Sequence, residues 1–222
     1  PTLLLTGKSV KTFPDVDINP LNVIIYDTIV YLNNTLNGNI TLGSNGSGNL
    51  IIGSGTRYGA LIYRQTGFAR KVYVNNLEIG ALGRFYVENG IASSLLHSLY
   101  VNGNILNNNP TNGLEFYGTN GNRGDLYLTN YQNHLQSTNY ISASGNPITL
   151  NRLIVDKTSL QNEIIVTSKL KISGVNSGAN KALVLNIGTL ILNHDSINID
   201  LSSDNVTTYP FNIPNNSALV VS

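Results

Sequence analysis

The chain has 222 residues, of which 11% are charged, against a usual share of about a quarter, and its net charge is +1. Such a surface has no field to draw in nucleic acid or an anionic membrane, and its longest basic cluster is Arg70-Lys71. Cysteine is absent, which excludes disulfides and thiolate metal sites, and no apolar run approaches the ~18 residues that span a bilayer.

In chain order, an apolar strand at Leu3-Leu4-Leu5 precedes a segment of turn-formers from Phe13 to Pro20, and then come Val23-Ile24-Ile25 and Ile29-Val30-Tyr31-Leu32. A repeat protein must cover the unpaired backbone at its end, so residues 1–28 are expected to form an N-terminal cap. Short strands follow at Ile40 to Leu42, Leu50 to Ile52 and Ala60 to Tyr63, separated by Gly/Ser/Asn turns. Further strands are expected at Leu77 to Ile79, Phe85 to Val87, Ile105-Leu106, Leu114 to Tyr117, Tyr140-Ile141 and Ile148 to Leu150. Only 91–99 could pass for a helix. Past Leu160 come Ile164 to Val166, Leu170 to Ile172, Leu183 to Asn186, Leu190 to Asn193 and Ile197 to Ile199, with an insertion around 174–180. Residues 206–222 are expected to be an exit or a linker to a following module, because Pro210 and Pro214 cannot hold ladder positions.

One phrase sets the register. Val72-Tyr73-Val74-Asn75 returns as Leu99-Tyr100-Val101-Asn102, Leu126-Tyr127-Leu128-Thr129 and Leu153-Ile154-Val155-Asp156, each copy 27 residues after the last. Alternation within the phrase turns its first and third residues inward and its second outward. A period this long suits one turn of a solenoid, and strand spacings near ten give about three short strands per turn. The fold class expected is therefore all-β, a right-handed parallel β-helix over residues 29–205, with about eight coils stacked to ~40 Å at ~4.8 Å each.

The Asn/Gly-rich phrases Leu99-Tyr100-Val101-Asn102-Gly103-Asn104-Ile105 and Leu36-Asn37-Gly38-Asn39-Ile40-Thr41-Leu42 resemble the β-helical regions of large secreted surface proteins of Bacteroidota, often type IX secretion cargo and adhesin-like. Phage tail fibres use similar text. The resemblance implies an extracellular, cell-surface fragment of a longer chain, with further modules of that chain as neighbours. It transfers no catalytic residue. A chain that begins at Pro1 and lacks methionine is expected to be a processed product or a piece of a longer protein.

Candidate sites follow from phase. Tyr73, Tyr100 and Tyr127, continued by Tyr31, are expected to form an outward ladder that either binds a glycan or cell-surface protein or stiffens the wall, the second being favoured. Asn75, Asn102, Thr129 and Asp156 share the next phase and are expected to make a structural ladder at a bend. Pectate lyases and polygalacturonases, which are parallel β-helix enzymes, gather acids on one wall, and here Glu88 and Glu115 stand 27 apart and are expected to be neighbours across one coil where the loops match. No third acid shares their phase, so no catalytic residue is assigned.

No metal or cofactor is assigned either, since His97, His134 and His194 lack ligand spacing and Asp15 with Asp17 falls short of a Ca²⁺ site. Arg123-Gly124-Asp125 spells an integrin-type tripeptide on a Gly-rich turn, which chance explains. Two classes of function remain. One is a non-enzymatic structural or adhesive module, whose alternative form is a tail-fibre-like receptor-binding module. The other is a carbohydrate-active enzyme of the lyase or hydrolase type.

Overall fold

A computed structural model describes residues 1–13, 20–32, 39–88, 95–117, 123–130, 138–174, 182–199 and 212–222. Strands β1 (Thr2–Thr6) and β2 (Lys11–Phe13) begin the winding. The next turns are β3 (Asn22–Tyr26), β4 (Ile29–Leu32) and β5 (Ile40–Thr41), then β6 (Asn49–Ile52), β7 (Gly59–Tyr63) and β8 (Lys71–Val74). They continue with β9 (Leu77–Ile79), β10 (Gly83–Val87) and β11 (Leu96–Val101), then β12 (Ile105–Asn107), β13 (Leu114–Glu115) and β14 (Arg123–Thr129). After these come β15 (Thr138–Ala143), β16 (Ile148–Leu150) and β17 (Arg152–Asp156), then β18 (Glu163–Val166), β19 (Leu170–Ile172) and β20 (Leu183–Leu192). The winding closes with β21 (Ile197–Ile199) and β22 (Ser217–Val221).

Each strand pairs in parallel with the corresponding strand of the next turn, which makes three walls. The first wall runs β1-β3-β6-β9-β12-β15-β18, then the second half of β20, then β22. The second wall runs β2-β4-β7-β10-β13-β16-β19-β21, and the third runs β5-β8-β11-β14-β17 into the first half of β20. The protein is thus an all-β parallel solenoid with six turns closed on all three sides. Nine strands in the first wall, at ~4.8 Å each, make it about 38 Å long.

The core fills the triangle between the walls. Alternation puts Val23 and Ile25, Leu50 and Ile52, and Leu77 and Ile79 inward from the first wall. Val72 and Val74, Leu99 and Val101, Leu126 and Leu128, and Leu153 and Val155 do the same from the third. All are buried in one continuous aliphatic column, capped at one corner by the contacts among Tyr63, Phe85 and Phe116. No single turn can bury such a row by itself, so each turn depends on its neighbours.

The 27-residue register of the repeat phrase is the register of the third wall: Leu99 pairs with Val72 and Leu126, and Leu126 pairs with Leu153. In the second wall the spacing differs, Tyr86 pairing with Glu115 and Glu115 with Thr149, because the connecting loops change length there. β20 departs from the short-strand pattern. It turns the corner from the third wall to the first without a break, at Gly188, whose φ of 116° suits a residue without Cβ.

Both chain ends belong to the ladders. Within the 1–28 segment expected as a cap, β1 and β3 pair over five positions, and β3 pairs onward with β6. At the other end Ser217 to Val221 pairs with Gly188 to Leu192. Pro214 precedes that strand instead of occupying it, and Pro210 lies outside the described residues. The stretch that could pass for a helix is a strand from Leu96 onward, and the one helical element among the described residues is the 3₁₀ turn Ser44–Gly46. Of the 174–180 insertion, only Gly174 lies within the described residues. Among the described residues no helix is long and apolar enough to cross a membrane.

Candidate binding surface

The outward column of the third wall reads Thr41, Tyr73, Tyr100, Tyr127, Ile154, Val184, each paired with the next. Parallel in-register pairing sets equivalent side chains one turn apart, a separation at which aromatic rings stack. Tyr73 and Tyr100 lie with centroids 4.4 Å apart and planes 15° from parallel, and Tyr100 and Tyr127 repeat this at 4.4 Å and 16°. Burial, and after it the neighbouring phenols, push the Tyr100 hydroxyl well above its ordinary pKa. Burial also raises that of Tyr127, so the column is uncharged at neutral pH.

Tyr31 does not join this column. It lies on β4 in the second wall, between Thr12 and Ile62, with the Arg64 guanidinium 4.9 Å above its ring. Tyr31 stands 42 residues before Tyr73, on the second-wall strand of its turn, and the third-wall place beside Tyr73 goes to Thr41.

That substitution of a small residue for a ring leaves a cavity of about 190 Å³ lined by Asn39, Thr41, Asn45 and Tyr73. Asn45 belongs to the 3₁₀ turn, where it sits in the left-handed region at φ 57°, ψ 35°, a conformation asparagine tolerates better than most residues. Its neighbour Gly46 has φ 74°, and a Cβ there would come 3.3 Å from the Tyr73 Cβ, so the turn packs directly on β8. Asn102 Nδ2 donates to the Gly46 carbonyl at 3.1 Å and fixes the turn from two coils away.

The expected structural ladder forms in part. Thr129 Oγ1 donates to Asn102 Oδ1 at 2.8 Å across 27 residues. Asn75 is half-buried, whereas Asp156 is exposed beyond a register shift between Val155 and Asp156. The place beside Asn102 and Thr129 goes to Lys157. Its buried Nζ donates to the carbonyls of Asn102 (3.0 Å) and Thr129 (2.8 Å) and to Asn139 Oδ1 (2.8 Å), with Asn130 Oδ1 at 3.4 Å. Burial lowers its pKa to about 7. Nothing local announces this role, since the acceptors come from three other segments.

A longer amide ladder, not expected from sequence, edges the first wall. Asn49 Nδ2 donates to Asn22 Oδ1 (3.0 Å), Asn76 Nδ2 to Asn49 Oδ1 (2.9 Å), and the Asn104 backbone N–H to Asn76 Oδ1 (2.7 Å). The recurrence of asparagine at 22, 49 and 76 is the signal that could have found it. Beside it runs an outward column of Leu4, Ile24, Ile51, Glu78 and Leu106, and a groove lies over its last three members, Ile51, Glu78 and Leu106.

The acidic candidates separate. Glu115 neighbours Tyr86, two positions before Glu88, and its carboxylate takes Arg84 at 2.7 Å. Glu88 faces Arg64 at 3.8 Å and accepts the Gln65 backbone N–H at 3.2 Å. The pair expected from a 27-residue spacing fails because the ladder spacing between β10 and β13 is 29, from Tyr86 to Glu115.

Arg123-Gly124-Asp125 lies on β14 rather than on a turn. Asp125 is fully buried, bound by Arg152 Nε at 2.8 Å and Asn151 Nδ2 at 2.7 Å, and so is turned away from any receptor. Among the described residues no group of three or more metal-ligating side chains comes together. His134, Asp15 and Asp17 lie outside the described residues. His97 is a core residue: its Nδ1 accepts the Arg70 N–H at 3.1 Å, its ring stacks on Tyr63 at 4.6 Å, and burial lowers its pKa to about 4. Compared with protein-family models, curated proteins and solved structures, the chain matches none of them.

Proposed function

We propose that this chain is a non-enzymatic structural and adhesive module of a larger extracellular surface protein, in the manner of the Asn/Gly-rich Bacteroidota proteins it resembles. Its ladders hold a rigid rod, and its third wall meets glycans or neighbouring chains. The observation that carries the reading is the register-locked tyrosine column, half-buried and uncharged, on a wall where the buried Asp125 is held by Arg152 and Asn151. Glu88 and Glu115, each set against its own arginine, support a surface role better than acid–base chemistry.

The test uses the whole chain on beads, offered to cells and to acidic and neutral polysaccharides, with and without Ca²⁺. Retention without release of reducing ends or unsaturated products supports the module. Turnover that disappears in Glu88→Gln/Glu115→Gln would install an enzyme in its place.

A further inference from the structure

The rings of the tyrosine column do not all offer a face. Tyr100 is covered on one side by Tyr73 and on the other by Tyr127, each at 4.4 Å, so only its edge and hydroxyl reach the surface. The outer side of Tyr127 meets Ile154, which is itself only 4% exposed and fills that step. At the other end Tyr73 meets Thr41, whose side chain is too small to cover a ring, and there the cavity opens.

We propose that this cavity, at the foot of the column, binds a single ring of a neutral saccharide. The inference rests on the adhesive reading and narrows it from a wall to one subsite. Three observations meet here. The cavity combines one aromatic surface with the Asn39 and Asn45 amides and the Thr41 hydroxyl, which both donate and accept, as a sugar's apolar C–H face and ring of hydroxyls require. Among the described residues no charged side chain lines it, so an ionic ligand would enter without compensation from them. Its volume of about 190 Å³ lies below the roughly 300–1,000 Å³ of sites for drug-sized ligands, and it takes one ring rather than a chain.

The site is also held in shape. Leu42 N–H donates to the Tyr73 carbonyl at 3.0 Å, Asn75 N–H to the Gly48 carbonyl at 2.7 Å, and Asn102 clamps Gly46, so the turn that carries Asn45 is tied to β8 and β11. A preorganised site loses less freedom on binding.

The experiment uses the 222-residue chain produced without glycosylation, because Asn39 and Asn45 both stand in Asn-x-Ser/Thr sequences. Saturation-transfer NMR with free neutral monosaccharides and an array of glycans differing in their terminal ring distinguish a free sugar from a glycan end. Thr41→Tyr should close the cavity by adding a fourth ring to the stack, weakening binding at least tenfold while the circular dichroism melt stays cooperative. Asn45→Gly keeps the left-handed backbone and removes the amide, and should weaken binding severalfold. Lys171→Ala, exposed on β19 of the second wall, should leave binding within twofold.

The proposal is overturned if no neutral sugar binds the parent chain, or if binding survives Thr41→Tyr. Adhesion of beads to cells that persists in Thr41→Tyr would overturn this subsite and leave the module standing. Loss of saccharide binding in Thr41→Tyr from a chain that never retains cells would support the subsite and remove the adhesive role.

Discussion

Tyr100 and Tyr127 face each other with centroids 4.4 Å apart because their backbones pair directly, one turn of the solenoid apart. The contact is therefore set by the ladder and in turn stiffens it. Tyr100→Ser should lower the melting temperature by a few degrees, in keeping with ~1 kcal/mol for each lost stacking contact, and a thermal melt reads this directly. Saccharide binding at the Tyr73 cavity should persist, since the residues that line it are unchanged.

Val101 points the other way. It is fully buried between Leu99 and the neighbouring turns, and Val101→Asp would place a charge with no partner in the aliphatic column. Cooperative unfolding should disappear, because a turn that cannot bury its row leaves the turns on both sides uncovered. A denaturation curve as steep as the parent's would show that position 101 faces solvent.

Lys157 should give stability a pH slope. Its ammonium is held to a pKa of about 7 by burial, against an ordinary 10.5. Between those values the unfolded chain binds more protons than the folded one, so stability rises with pH, by at most ~1.4 kcal/mol per pH unit. Below pH 7 both states are protonated and the slope vanishes. Urea midpoints from pH 6 to 9.5 should rise in the parent chain, and Lys157→Met should abolish the rise.

Above pH 10 the tyrosines reverse the trend. Burial raises the pKa of Tyr63, Tyr100 and Tyr127 in the folded chain, so the stabilisation they give is present below the unfolded value of 10 and is lost as pH rises through the folded values. Stability should therefore pass through a maximum near pH 10. Tyr100→Phe should soften the fall on the alkaline side.

Asn49 is the middle rung of the amide ladder, accepting from Asn76 and donating to Asn22. Asn49→Ala should cost about 1 kcal/mol, because both neighbours lose a partner at a half-buried edge where water restores part of the loss. Combining it with Asn76→Ala should cost less than the sum of the two single changes, a coupling that a double-mutant cycle measures.

The solenoid and the register of its third wall were legible in the residues alone, because four phased copies of one phrase leave few ways to pair parallel strands. Tyr73, Tyr100 and Tyr127 stack for the same reason: the period of the text and the period of the ladder are one quantity. Glu88 and Glu115 were not legible because the ladder spacing between β10 and β13 is 29 rather than 27 residues, and Tyr31 was not because, 42 residues before Tyr73, it falls on the second-wall strand of its turn. Lys157 takes its acceptors from residues 102, 129, 130 and 139. The cavity at Tyr73 exists because Thr41, 32 residues earlier, pairs where the repeat would have placed a ring. Sequence determined what recurs. Tertiary structure decided what happens where the recurrence stops, because loop lengths set which chemically unlike residues share a column.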